Sequence, residues 1–224
     1  ASGVAAAFMI GGGAIGLGGP YLGLPEHVSV GTSSLILGGA LWGAAEGLGM
    51  ALTIAEADND RAVIPATLGA ATAVTLVTAL GARSMDISGG DAALVNSGAL
   101  WGSVSGVLLW SAIDEEDRLF GPILLAGLNT GLVVGAVLAR RFELGRGHVA
   151  LIDLSGLVGA LAGNMFSNAF EEVGQSKRLE YFTLGGIASG LVVGAVLTRD
   201  TEDGPAPLSP ILGAATDAAG TVVP

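Results

Sequence analysis

Gly131-Leu132-Val133-Val134-Gly135-Ala136-Val137-Leu138 returns residue for residue as Gly190-Leu191-Val192-Val193-Gly194-Ala195-Val196-Leu197, and this pair of stretches decides the fold. Each sets glycines four apart inside an unbroken apolar run. Four residues make slightly more than one helical turn, so the glycines share a face and Leu and Val cover the others. In water a helical glycine costs roughly 1 kcal/mol relative to alanine. In a bilayer it lets two backbones approach closely, where van der Waals contact replaces the missing hydrophobic drive between helices.

The same spacing spreads outward from these stretches. Gly39-Ala40-Leu41-Trp42-Gly43 recurs as Gly98-Ala99-Leu100-Trp101-Gly102, and Ser155-Gly156-Leu157-Val158-Gly159-Ala160 is a worn third copy. Both sets give a period of 58 or 59 residues. The expected helix-packing ribs are Gly39, Gly43 and Gly47; Gly98, Gly102 and Gly106; Gly127, Gly131 and Gly135; and Gly186, Gly190 and Gly194. A weaker rib is read as Gly156, Ala160 and Asn164, and Gly11 aligns with Gly69, Gly127 and Gly186.

Composition agrees with a lipid environment. Hydrophobic residues make up 51% of the chain and charged residues 13%, about half the charged share of a soluble domain. Seven apolar stretches, 1–19, 28–55, 62–82, 92–113, 119–139, 149–170 and 179–198, match the ~20 residues that cross the hydrocarbon as helix. The fold expected is therefore all-α: a polytopic transmembrane bundle of about seven helices built from repeated glycine-zipper hairpins. Its organisation reads as a partial repeat helix with return loop (1–27), hairpin repeats over 28–91, 92–148 and 149–200, and a polar, Pro-containing tail over 201–224.

Two rival architectures fit less well. Transmembrane β-strands run about 9 to 11 residues with period-two alternation, whereas these segments are twice as long with period four. A soluble Gly/Ala-rich helical protein would carry more charge. The chain opens on Ala1-Ser2-Gly3 without methionine, which reads as a processed product or internal fragment; 1–19 lacks the basic flank of a signal peptide and reads as structural.

The net charge of −11 disfavours nucleic acid as a partner. With no cysteine, disulfides, thiolate nucleophiles and cysteine metal sites are excluded. The hairpin turns are acidic, with Asp58, Asp60, Asp114, Glu115, Glu116, Asp117, Glu171 and Glu172 on one side. Four basic residues on that side face five on the other, too even a distribution for the positive-inside rule to set orientation. A cation-binding role for these turns is outweighed by simple stabilisation of helix N-termini.

Glu46 is the carboxylate set deepest in an apolar run, where burial costs several kcal/mol unless it protonates, meets water or finds a partner. It reads as a proton or ion site or as interhelical glue, and its register equivalents are Ser105 and Gly163. Asn129, Asp153 and Asn164, with Asn168, complete an intramembrane polar set. His27 and His148 lie apart, so no metal site is expected. The glycine strings lack a Walker ending, so no nucleotide or other cofactor is expected, and no serine sits in a nucleophile elbow. Trp42, Trp101 and Trp110 read as interfacial anchors.

Leu128-Asn129-Thr130-Gly131-Leu132-Val133-Val134-Gly135-Ala136 and Ala150-Leu151-Ile152-Asp153-Leu154-Ser155-Gly156 resemble stretches of exported glycine-rich multi-pass proteins of myxobacterial type. That resemblance implies a bacterial cell-envelope location, the outer membrane included, and carries no activity. Together the readings set the expectation of a non-enzymatic structural or pore-forming integral membrane component. Its partners would be the lipid bilayer and other copies of itself or a larger membrane complex. The alternative is an ion- or proton-coupled channel or transporter using Glu46.

Overall fold

A computed structural model describes residues 28–54, 60–82, 84–113, 117–169 and 177–199. They form six helices: α1 (Val30–Ile54), α2 (Asp60–Ala82), α3 (Gly89–Ile113), α4 (Asp117–Ala139), α5 (Arg146–Ala169) and α6 (Lys177–Thr198). No strand occurs among the described residues. The helix expected over 1–19, the tail over 201–224 and most of the acidic turn residues lie outside them.

All six helices are long and apolar enough to cross a membrane. At 1.5 Å per residue they run roughly 33 to 38 Å, the thickness of the hydrocarbon core with a margin. Their apolar residues circle the helix instead of forming one stripe, as in α1 and α3. Large side chains stand outward in consequence: Leu37, Val77, Met165 and Leu197 are each at least 70% exposed. The small core holds mainly alanine and glycine, with Leu128 and Val149 as the largest side chains wholly out of reach. A soluble helical protein would do the reverse. The chain is an integral membrane protein of the α-helical type.

The helices pair in sequence as antiparallel hairpins, α1–α2, α3–α4 and α5–α6. Within a hairpin the backbones nearly touch. A Cβ added at Gly98 would run into the Gly131 carbonyl oxygen and stand 2.9 Å from Gly135 Cα, and one at Gly127 would run into the Gly102 carbonyl. Gly106 faces Ile123 and Gly127. In the first hairpin Gly39, Gly43 and Gly47 face Thr78, Val74 with Ala70, and Ala66 with Thr67. In the third, Gly186 faces Gly159, Gly190 faces Ser155 with Gly159, and Gly194 faces Ser155 with Ile152.

These contacts shift part of the expected register. The seam on α5 is Ser155, Gly159 and Gly163; Gly156 points sideways at Leu191 and Trp101. Small residues stand at both 155–156 and 159–160, so spacing alone does not choose between the two faces. Gly69 meets nothing within 4 Å, and Ala70 holds the position corresponding to Gly127. Matching contacts place first helices 59 and then 57 residues apart, and second helices 57 and then 59. The equivalents of Glu46 are therefore Ser105 and Ala162, not Gly163.

The hairpins stack in a row. α3 packs on α1, and α5 on α3; α4 leans on α1, and α6 on α3. Among the described residues the first and third hairpins do not touch, and neither do α2, α4 and α6. First helices thus form the continuous layer, and second helices sit in its notches with grooves between them. The helix starts are capped at matching positions. Thr32 N–H donates to Ser29 Oγ at 3.0 Å, and Ser88 and Asp91 form a reciprocal capping box at 2.9 and 3.0 Å.

Candidate functional site

A polar group in hydrocarbon must find its partner inside the protein, so the intramembrane polar residues mark where neighbouring elements are tied together. Trp42 lies at the centre of α1 and donates Nε1–H to Asn96 Oδ1 on α3 at 2.9 Å. Asn96 Nδ2 reaches the Ser34 carbonyl at 3.5 Å. One hairpin further, Trp101 at the centre of α3 donates Nε1–H to Asp153 Oδ1 on α5, again at 2.9 Å, and Ser97 donates its hydroxyl to the same oxygen. Both tryptophans were expected at the membrane interface. They stand at mid-helix because their indole N–H groups serve the join between hairpins.

The backbones follow the same seam. A Cβ at Gly31 would overlap the carbonyls of Ile87 and Ser88, in the loop that leads into the second hairpin. Gly90, its equivalent, meets the Leu144 carbonyl in the loop that leads into the third. Ser29 Oγ–H adds a bond to the Ile87 carbonyl at 3.3 Å. Each joint thus has a glycine seated on a loop carbonyl at one end and a tryptophan donating to a short polar side chain at mid-helix.

Lower in the first joint, Asn129 Nδ2–H donates to Glu46 Oε1 at 2.8 Å and to the Leu125 carbonyl at 2.9 Å. The corresponding pair in the second joint is Ser105 and Ala188, while Ser111 Oγ–H donates to Glu180 Oε1 at 3.1 Å nearby. The four residues expected as an intramembrane polar site therefore separate into three groups. Glu46 joins Asn129, Asp153 joins Ser97 and Trp101, and Asn164 accepts from Asn168 Nδ2 at 3.1 Å within its own helix. Asn96, which the sequence reading missed, is the seam residue most readily found by register, since it precedes Trp101 as Asp153 precedes Val158.

Most remaining hydroxyls turn back on their own helix. Thr53, Thr72, Thr75, Ser103, Ser155, Thr183 and Thr198 each donate to the carbonyl four residues earlier. Such hydroxyls spend their single hydrogen within their own helix and tie no neighbouring element.

A groove of about 1040 Å³ lies between α4 and α6, floored by α3. Trp101, Leu109, Ala126, Val134, Ile187 and Leu191 give it an apolar lining, and His148 and Arg199 stand at the return-loop end. His148 is buried there, and among the described residues no three of His, Asp and Glu gather where a metal could bind.

Fold and seam define a class: a polytopic helical membrane protein whose hairpins stack by a recurring joint. Comparison with protein-family models, curated proteins and solved structures finds no match for the chain.

Proposed function

We propose that the chain is a structural, non-enzymatic component of a bacterial cell-envelope membrane, with glycine-ribbed hairpins as repeating units of a wall that can enclose a pore. One observation carries this reading: the Trp42–Asn96 and Trp101–Asp153 joints repeat at the same helix level and the same 2.9 Å length. The indole, carboxylate and amide groups of the membrane segments go mainly into holding hairpins side by side. Close backbone approach within each hairpin makes each unit stiff, because neither helix can rotate without driving a carbonyl into a glycine Cα.

The test is Gly131→Leu and Gly190→Leu, singly and together. Each should abolish the native assembly in detergent, read by size and by unfolding resistance, while helix content by circular dichroism stays unchanged. A double variant that assembles normally refutes the packing argument.

A second reading, an ion- or proton-coupled channel, is favoured by Glu46 alone, since a carboxylate at mid-membrane is costly. Its Asn129 partner supplies one hydrogen bond to one oxygen. Conductance and proton uptake in liposomes should be the same for the parent and Glu46→Gln if the pair is structural. A tenfold or greater loss on substitution would favour the channel instead.

A further inference from the structure

Among the described residues, the joint between hairpins leaves two open ends. On the third hairpin, Gly147 occupies the place of Gly31 and Gly90. Those two are pressed against loop carbonyls of the next hairpin, whereas Gly147 meets nothing within 4 Å. Val158 stands where Trp42 and Trp101 stand in the other hairpins, and it is 58% exposed. On the first hairpin, Leu37 stands where Asn96 and Asp153 accept, and it is 73% exposed. Donor and acceptor are absent together, one from the third hairpin and one from the first. A tryptophan kept at 158 would face a leucine, and an Asn kept at 37 would face a valine; the two replacements fit each other.

The remaining positions agree. Met165, equivalent to Gly49, is 72% exposed, and Leu68, equivalent to the Leu125 that Gly49 meets, is 38% exposed. Leu154 continues the open face of α5, and Ile64, equivalent to Gly121, continues that of the first hairpin. The Ile87 and Ser88 carbonyls that seat Gly31 correspond by register to those of Val28 and Ser29.

We propose that the chain assembles head to tail with further copies of itself, the third hairpin of one copy docking on the first hairpin of the next. The joint is the one already used twice inside the chain, with an apolar Val158–Leu37 pair in place of Trp–Asn and Trp–Asp. Its occupant is a second copy because the two open faces are the two halves of one established interface. Such a contact is heterologous, so it propagates into a ring or an open row. All first helices run the same way, so the row continues in the plane of the membrane. The inference rests on the reading of the chain as a membrane wall component.

The absence of cysteine in the natural chain makes the test direct. Leu37→Cys and Val158→Cys are placed in differently tagged full-length copies, expressed together, and treated in isolated membranes with a short bis-maleimide. The expected product is a mixed-tag dimer, with neither single variant linking to itself. The double variant should give a ladder of higher species, and adding Gly147→Leu should reduce that ladder at least tenfold with helix content unchanged. Self-linking of a single variant would mean a twofold contact and overturn the proposal, as would a membrane-inserted chain that stays unlinked. Recovery of the parent chain in the soluble fraction would instead overturn the membrane reading beneath it.

Discussion

Asp153 accepts from Ser97 and Trp101, whereas its counterpart Asn96 accepts from Trp42 and reaches back to a backbone carbonyl. The role needs an acceptor oxygen on a short side chain, and the charge is incidental to it. Asp153→Asn should therefore leave stability within about 0.5 kcal/mol of the parent, as for a change outside the mechanisms that destabilise strongly. Asp153→Leu strands the Trp101 N–H in an apolar seam and should cost about 1–3 kcal/mol. Combining it with Trp101→Phe removes the stranded donor, so the double variant should be less destabilised than the sum of the singles by about 1 kcal/mol. Unfolding by urea or SDS in micelles, followed by circular dichroism, measures all three. Strict additivity would mean that the indole bond does not carry the joint.

At the scale of a helix, space around the glycines divides them into two kinds. Gly127 and Gly131 face carbonyl oxygens and Cα atoms of α3, with no flexible side chain between. Gly69 and Gly185 face open space. Gly127→Ala should destabilise by about 1–3 kcal/mol through overpacking. Gly69→Ala and Gly185→Ala should be neutral or stabilising by up to about 1 kcal/mol, the helix-propensity gain. The same micelle unfolding separates the two kinds, and equal losses at Gly127 and Gly185 would contradict the geometry. This division was only partly legible in the sequence. Helix lengths follow from the apolar runs, and the six described helices begin and end close to the expected limits. Period four could not say that Gly69 lies off the seam or that Ser155, not Gly156, lies on it, because both candidate faces of those helices carry small residues. Only the partner helix resolves that choice. The joint was less legible still. Trp42 and Asn96 are 54 residues apart on separate hairpins, and their meeting depends on how far the two first helices are offset. Glu46 and Asn129 were both recognisable as polar misfits, yet nothing local paired them.

At the scale of the molecule, each hairpin touches only its neighbours among the described residues, so the array should behave as a one-dimensional repeat whose length can be changed. Deleting residues 100–156 removes one period of 57 and fuses the start of α3 to the rest of α5 in helical register. The fused helix keeps Asn96 for Trp42, keeps Gly159 and Gly163 against α6, and ends on the same open face at Val158. It loses the partners of Glu46 and Glu180, since Asn129 and Ser111 are both deleted. Glu46→Ser and Leu52→Ser restore the residue types that α3 presents to α6 at those levels, Ser105 and Ser111. The resulting protein, with four of its helices in the described region, should insert, unfold cooperatively and still cross-link head to tail through positions 37 and 158. Trp42 becomes its sole tryptophan, so fluorescence reports the joint directly, and Asn96→Leu should shift the emission. Deleting 100–154 instead leaves two extra residues inside the fused helix, which turn everything beyond them by about 200°. Asn96 cannot then meet Trp42 while Gly159 and Gly163 keep the α6 seam, and cooperative unfolding should vanish. If both deletions behave alike, the hairpins are not interchangeable units and the wall they form is not a repeat in the physical sense.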